Sequence, residues 1–208
     1  EQPPLLAAVG GAIVLVGIDV SKWQGDVDWA AVKADGISFA FARVSDGLNG
    51  VDTYFDDNWA GMKAAGLVRG AYQFFRPASN VADQAQVMID ALGQLEPTDL
   101  PPVIDVEADG GLSDAAVADA VDEWISIVQD ATGRRPIIYT GPYFWRDEVG
   151  SANQLPSDLW VAHYGAECPL TPEPWSRWAF WQYTDSGDVA GVDGPVDTNL
   201  FNGDMADL

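Results

Sequence analysis

The chain has 208 residues, of which 48% are hydrophobic and 11% aromatic, a composition that is typical of one globular domain and excludes a disordered protein. Its 32 acidic and 10 basic residues give a formal net charge of −22, which argues against nucleic acid and an anionic membrane as partners, because both attract positive charge. With one cysteine, Cys168, and one histidine, His163, which we interpret as structural, the chain has little material for a disulfide, a Ser–His–Asp triad or a multi-histidine metal site.

The first residues form an apolar stretch, residues 5–18, that is too short to span a bilayer and has no positively charged residue before it. We interpret residues 1–16 as an N-terminal extension, or the remnant of an export signal, that leads into the first strand. Residues 17–208 are then expected to form a single domain.

Strand-like and helix-like segments alternate through the first 150 residues. Runs of β-branched, aromatic and other apolar residues predict strands at residues 12–20, 37–43, 67–75, 102–107 and 136–140. Helical spacing of apolar residues predicts helices at residues 28–34, 55–65, 80–95 and 113–132, with a weaker pattern at 143–149. Such alternation indicates βα units and a mostly parallel sheet.

The pattern changes near Gly150. Further strands are predicted at residues 159–164, 178–183 and 196–201, and four prolines between residues 156 and 174 leave little room for helices. Five βα units followed by about three strands that lack proper helices predict an irregular α/β barrel of the TIM type. In such a barrel the last strand pairs with the first.

Four acidic residues stand where this barrel would bring them together. Asp19 ends the first predicted strand, Asp105 and Glu107 end the fourth, and Asp197 lies near the last. Alternate residues of a strand face the same side, so Asp105 and Glu107 should point the same way. An isolated Asp-x-Glu is more often a surface pair, but four acids at strand ends indicate a catalytic site. Grouped carboxylates without a metal or a nucleophilic Ser or Cys most commonly cleave glycosidic bonds.

The spacing of the acids leaves the route of cleavage open. Like charges in a buried site raise one another's pKa, and Glu107 is expected to be the acid that keeps its proton. Residues two apart on a strand have Cα atoms about 6.5–7 Å apart, which does not decide between a direct nucleophile and an activated water. If the sugar carries a 2-acetamido group, its carbonyl oxygen can attack the anomeric carbon instead, with a neighbouring carboxylate stabilising the positive oxazoline.

Aromatic residues near the strand ends provide a second clue. Such side chains stack on the apolar faces of sugar rings, while the Tyr hydroxyl and the Trp N–H reach sugar hydroxyls. Most of the nine tryptophans are interpreted as core residues. The predicted substrate-binding residues are Tyr72, Gln73, Phe74, Tyr139, Trp160, Tyr164, Trp181, Gln182 and Asn199.

The segments that carry these residues are, in chain order, GIDVSKWQGDVDW, GAYQFFRP, PPVIDVE, PIIYTGPYFW, LWVAHYG and WAFWQYTDSGDVAGVDGPVDTNLF. With them, residues 17–201 resemble glycoside hydrolase family 25, the Chalaropsis-type lysozymes. The resemblance implies a β/α barrel at residues 17–208 that cleaves the β-1,4 bond between N-acetylmuramic acid and N-acetylglucosamine in bacterial peptidoglycan. It also implies a monomer without cofactor or metal that is secreted, extracellular or released at phage lysis.

By this resemblance, Glu107 would be the general acid/base, and Asp105 would steady the acetamido group or the intermediate. Asp19 and Asp197 would tune the charge and bind substrate. The resemblance implies net retention with assistance from the substrate, although a direct nucleophilic Asp has also been argued for the family. Gln73 departs from the family pattern, in which a His is often present, and we interpret it as a residue that shapes the substrate site without titrating.

Two other functions remain open at this point. A chitinase-like glycosidase of family 18 would carry a longer acidic motif, which is missing because residues 101–104, PPVI, precede Asp105. A non-catalytic protein that binds muropeptides would have no need for the proton donor, so the presence of all four acids argues against it.

Overall fold

The computed structural model describes residues 14–150 and 157–208, and the predicted extension lies almost entirely outside them. Eight strands form a closed barrel in which each strand pairs with its neighbours in chain order. The strands are β1 (Leu15–Val20), β2 (Phe39–Asp46), β3 (Val68–Phe74), β4 (Val103–Asp105), β5 (Ile137–Thr140), β6 (Leu159–Ala162), β7 (Phe180–Gly187) and β8 (Val196–Phe201). The predicted irregular barrel is therefore confirmed, and β1 begins two residues before the domain boundary that the sequence suggested.

Helices follow the first five strands. They are α1 (Trp29–Ala34), α2 (Phe55–Ala64), α3 (Val81–Leu92), α4 (Asp114–Thr132) and the short α5 (Pro142–Phe144), which continues into a π-helical turn at Trp145–Val149. A 3₁₀ turn, Lys22–Gln24, lies between β1 and α1. Within residues 157–208 the connections contain no helix, as the prolines predicted. In the described ranges, no helix has the length and apolar character needed to cross a membrane.

The direction of β8 decides where Asp197 lies. Strands β1 to β7 run parallel to one another, while β8 is antiparallel to both β7 and β1. The first residues of β8 therefore lie at the same end of the barrel as the last residues of the others, and Asp197 pairs with Asp19 across the two strands. The predicted closure is confirmed, but Asp197 begins its strand instead of ending it.

Strand β4 is shorter than the sequence suggested. It ends at Asp105, so Glu107 lies just beyond the strand in a segment that the Val106 N–H ties to the Tyr139 carbonyl oxygen at 2.9 Å. Because of this backbone hydrogen bond, successive side chains continue to alternate between the two faces of the sheet past the end of the strand. Val106 is fully buried, while Asp105 and Glu107 reach the barrel mouth.

The lower part of the barrel interior is filled by aromatic rings. Its largest members are Phe39, Phe41, Trp160, Phe180 and Phe201. Two glycines make room for them, since a Cβ at Gly17 would lie 2.3 Å from the ring of Phe39 and one at Gly70 would lie 2.3 Å from that of Phe41. The rings of these residues thus fill the lower interior, below the end where the parallel strands finish.

Candidate active site

A pocket of about 250 Å³ opens at the carboxyl ends of the parallel strands. All four predicted acids line it: Asp19, Asp105, Glu107 and Asp197. They come from β1, from β4 and the residues after it, and from the start of β8, so residues almost 180 positions apart in sequence meet at one mouth. In the described part of the chain, no group of three or more His, Cys, Asp or Glu side chains is arranged to hold a metal ion.

Asp19 is buried and held by two amides. Its Oδ2 accepts hydrogen bonds from Gln182 Nε2 and Asn199 Nδ2, both at 2.8 Å. Burial raises the pKa of Asp19 to about 6, although these two donors act in the opposite direction by stabilising the anion. The charge of Glu107 raises it further. The ionised form of Asp19 is therefore stabilised by two amide donors and destabilised by burial.

Asp197 lies half-buried opposite Asp19. Loss of water raises the pKa of Asp197 to about 8, with the nearby charges of Asp19 and Asp185 acting in the same direction. The contact between the two carboxyls lowers the pKa of Asp19 and raises that of Asp197. When this pair holds one proton, the proton resides on Asp197, because the two amides stabilise Asp19 as the anion.

Asp105 and Glu107 form a second coupled pair. Asp105 is only 4% exposed, and burial raises its pKa well above the usual range, followed by the charges of Glu107 and Asp19. Glu107 has an exposed surface, yet protein atoms crowd its carboxyl at the pocket mouth, and this loss of water raises its pKa as well. The contact between the two carboxyls raises the pKa of Asp105 and lowers that of Glu107. The pKa values of both carboxyls are therefore raised, so the pair favours a state in which it holds a proton.

One atom of this pair has no partner. Among the described residues, the buried Asp105 Oδ1 makes no hydrogen bond. A buried carboxyl oxygen without a partner is costly, which is a common property of atoms that a ligand satisfies. This oxygen belongs to a residue that lines the pocket.

Two tyrosines and a tryptophan orient the amides under Asp19. The hydroxyls of Tyr139 and Tyr164 donate to Gln182 Oε1 at 2.7 and 2.6 Å, which leaves the Gln182 amide nitrogen to face Asp19. Trp160 Nε1 donates to Asn199 Oδ1 at 2.8 Å and fixes that amide in the same way. Asp19 is thus the end point of a hydrogen-bonded network that involves five strands, β1 and β5 to β8.

The structure brings most of the predicted substrate-binding residues to the pocket. Those that line it are Tyr72, Phe74, Tyr139, Trp160, Tyr164 and Gln182. Asn199 is fully buried beneath Asp19 and positions it without lining the pocket.

Gln73 and Trp181 are not at the pocket, because side chains alternate along a strand. Gln73 lies on the outer face of β3, where its Nε2 donates to the Ser45 hydroxyl at 2.9 Å and its Oε1 accepts from Trp124 Nε1 at 2.7 Å. Trp181 lies on the outer face of β7 and donates from Nε1 to the His163 carbonyl oxygen at 2.9 Å. We therefore remove both from the set of substrate contacts.

Arg43 lines the pocket and was missed from the sequence. It ends the inward-facing series of β2, and its Nη2 lies 2.9 Å from Asp52 Oδ2, which also accepts the Lys22 N–H at 3.0 Å. Its positive charge lowers the pKa of Asp105 against the effect of burial. Arg43 ends a predicted strand, as the acids do. It could have been identified from the sequence if basic residues at strand ends had also been considered.

Trp23 is the second residue that sequence reasoning missed. It lines the pocket from the 3₁₀ turn after β1 and is 76% exposed, an unusual state for an indole. The turn that carries it is fixed, because the Ser21 N–H donates to Gln24 Oε1 at 2.9 Å and the Ser21 hydroxyl accepts from the Trp23 N–H. An exposed aromatic face is therefore held in place beside the acids.

Comparison with known proteins identifies the family. The sequence model of glycosyl hydrolases family 25 matches residues 18–192. YegX of Escherichia coli K12, an uncharacterized protein, is 39% identical over 198 residues, which cover 92% of this chain and 71% of YegX. Lysozyme M1 of Streptomyces globisporus is 38% identical over 203 residues, covering 92% of this chain and 69% of that protein.

The fold agrees with the sequence match. The crystal structure of the bacterial lysozyme from Streptomyces coelicolor superposes with a TM-score of 0.89 at 38% identity, over 93% of this chain and 94% of that one. A family match over most of the barrel, together with the carboxylates at its mouth, leaves one assignment. The chain belongs to glycosyl hydrolase family 25.

Proposed function

We propose that this protein is a lysozyme that hydrolyses the β-1,4 bond between N-acetylmuramic acid and N-acetylglucosamine in bacterial peptidoglycan. The observation that carries the proposal is the meeting of four carboxylates with raised or coupled pKa values in one pocket of a family 25 barrel. Similarity to Lysozyme M1 supports the choice of substrate. We also propose that the enzyme acts as a monomer, and the substrate implies action outside the cell membrane.

Glu107 is the general acid/base in this proposal. It is the acid nearest to solvent at the mouth, where a glycan strand can reach it, while Asp19 and Asp105 are buried. Protonation of the glycosidic oxygen by Glu107 releases the leaving sugar, and the resulting carboxylate then takes a proton from the attacking water.

The proton must be on Glu107 when the bond breaks, and substrate binding favours this state in two ways. The N–H of the 2-acetamido group donates to Asp105 Oδ1, the atom without a partner, and so stabilises Asp105 as the anion. The sugar also displaces water from Glu107, which raises its pKa.

Asp105, as an anion, then holds the acetamido group in place. The carbonyl oxygen of that acetamido group attacks the anomeric carbon. The oxazoline that forms carries a positive charge, which the ionised Asp19 and Asp105 stabilise. Asp197, holding the proton of its pair, keeps the pocket from carrying one more negative charge before the substrate arrives. Opening of the oxazoline by water gives net retention.

Analysis of the cleaved glycan tests the function directly. Purified peptidoglycan is digested, the products are reduced with borohydride, and the new reducing ends are identified by mass spectrometry. We expect reduced N-acetylmuramic acid, and no fragments from chitin. Reduced N-acetylglucosamine at the new ends, cleavage of chitin, or products that are equally abundant with Glu107→Gln would contradict the proposal.

A further inference from the structure

Trp23 lies at the acidic pocket, and the proposed mechanism does not use it. Among the described residues it is the most exposed of the large hydrophobic side chains, with 76% of its surface accessible, and it lines the pocket. Tryptophan is highly buried on average, because contact of its large ring with water is unfavourable. An indole that stays exposed at the edge of a polar pocket is therefore expected to contact a ligand.

The turn that carries Trp23 is fixed from inside and from outside. Inside the turn, the Gln24 N–H donates to the Ser21 carbonyl oxygen at 3.2 Å. From outside, Oδ2 of the buried Asp52 accepts the Lys22 N–H at 3.0 Å. The backbone beneath the indole is thus in place before a ligand arrives, which reduces the entropy that is lost on binding.

Lys22 also holds the ring itself. Its Nζ lies over the indole of Trp23 with 5.1 Å to the ring centroid, a cation–π contact. The ammonium covers only a small part of the ring, since most of the surface of Trp23 is exposed. The indole is therefore oriented by a contact that leaves a broad aromatic surface open.

Trp23 and Glu107 reach the pocket from different sides of the barrel mouth. Trp23 follows β1 and Glu107 follows β4, and the closed barrel places β2 and β3 between them in one direction and β5 to β8 in the other. Both residues line the same pocket. A ligand that extends across the mouth therefore contacts the indole and the proposed proton donor at once, and a chain of linked sugars has the length to do so.

The chemistry of the pocket selects a sugar ring as the occupant of the exposed indole. The four acids repel an anion, and a purely apolar ligand would leave their carboxyl oxygens without partners. A β-1,4-linked pyranose ring carries its polar groups around its edge and C–H groups on its faces. Such a face fits the indole while the edge offers hydrogen bonds to the carboxyls.

We propose that Trp23 is a platform on which one sugar ring of the glycan strand stacks, beside the bond that is cut. This inference rests on the proposed function. The stacked ring keeps the same contact before and during bond cleavage, so Trp23 contributes to binding and not to the chemical step. Loss of the indole should therefore raise KM and leave kcat unchanged.

Steady-state kinetics on soluble glycan strands, freed of their peptides by an amidase, test this role. Trp23→Ala should raise KM about tenfold, and Trp23→Phe, which keeps an aromatic face, by less than about threefold. Both variants should keep kcat within about twofold of wild type. The matched control is Tyr143→Ala, at an aromatic residue that is 51% exposed and does not line the pocket, and it should alter neither constant.

Calorimetric titration separates binding from cleavage. The same strands are titrated into Glu107→Gln and into Glu107→Gln that also carries Trp23→Ala, so that the glycan stays intact. The second protein should bind with a Kd about tenfold higher. Urea denaturation should give the same midpoint for Trp23→Ala and wild type, because the ring is mostly exposed.

An unchanged KM and Kd, a fall in kcat at constant KM, a Trp23→Phe variant as weak as Trp23→Ala, or a lower urea midpoint would overturn the inference. Failure of the proposed function looks different. A wild type that cleaves the strands while the loss of Trp23 leaves binding intact would overturn the inference alone. A wild type that binds the strands through Trp23 and cleaves none of them would overturn the proposed function instead.

Discussion

The barrel interior has a lower layer of aromatic side chains and an upper layer of polar side chains, and the same strands contribute to both. In β2, Phe39 and Phe41 face the lower interior and Arg43 the mouth, and in β7 the step is from Phe180 to Gln182. Side chains two residues apart share a face, so each of these two strands passes from an aromatic ring to a polar group within two residues. The lower layer packs rings against rings, while the upper layer gathers groups that need water or partners.

The two layers contribute opposite terms to stability. In the lower one, Phe41 stacks on Trp160 with 4.3 Å between ring centroids, and Phe39 meets Phe180 edge to face at 5.3 Å. Burial of such rings drives folding. In the upper layer the raised pKa values show that ionised carboxylates are less stable there than in water. The packed layer thus offsets the cost of the acidic one.

The largest effect should come from Glu107→Gln, in the upper layer. We expect kcat on peptidoglycan to fall about 10²–10⁴-fold, because the proton donor is lost. The free energy of unfolding should not fall, because the pocket already disfavours the ionised carboxyl that the variant removes. Steady-state kinetics and urea denaturation measure both, with Glu123→Gln on the exposed face of α4 as control. A variant that lyses walls at the wild-type rate would remove Glu107 from its role.

Phe41→Ala makes the converse change in the lower layer. The fully buried ring contacts Phe39, Trp160 and Phe180, and its removal should lower the free energy of unfolding by about 3–5 kcal/mol. Urea titration should show a lower midpoint with an unchanged slope. The control is Leu48→Ala at an exposed site. If the loss were as small as in that control, the aromatic layer would not be the main support of the barrel mouth.

Gln182→Met lies at the border between the layers. Methionine keeps the volume but removes a donor from Asp19 and an acceptor from Tyr139 and Tyr164, so kcat/KM should fall about 10–100-fold. Because the Gln182 hydrogen bond lowers the pKa of Asp19, its loss should move the acidic limb of the pH–rate profile to higher pH. Gln94→Met, at an exposed site, is the control. A uniform loss of rate with an unmoved acidic limb would show that Gln182 acts through packing alone.

The smallest effect concerns stability and pH. The pKa of Asp197 is raised in the folded state, so the protonated form favours folding, and this stabilisation is complete below about pH 4 and lost as the pH rises through about 8. In Asp197→Asn this loss of stability at high pH is absent, because asparagine does not ionise. For a half-buried group, the variant should gain about 1 kcal/mol over wild type above pH 8 and nothing near pH 3. Thermal denaturation across this range checks the sign, and a variant that is less stable at high pH would contradict it.

Much of the fold could be predicted because each strand carries its own signal. The apolar runs and the change of pattern after Gly150 predicted the eight strands. The expected closure of the barrel predicted that Asp19 and Asp197 lie side by side. The error at Gln73 was avoidable, since three consecutive strand residues cannot all face one pocket. The coupling among the four acids could not be predicted, because it depends on how deeply Asp105 is buried relative to Glu107 and on which amides reach Asp19.

The reversed last strand of the barrel makes the activity depend on the presence of β8. A nascent or truncated chain that stops before β8 lacks Asp197 and Asn199, and the edges of β1 and β7 stay unpaired. Such a chain holds the proposed proton donor and its neighbour but lacks the amide and the carboxyl that set the charge of Asp19. A chain that is truncated before Val196 should therefore be inactive on cell walls and prone to aggregate.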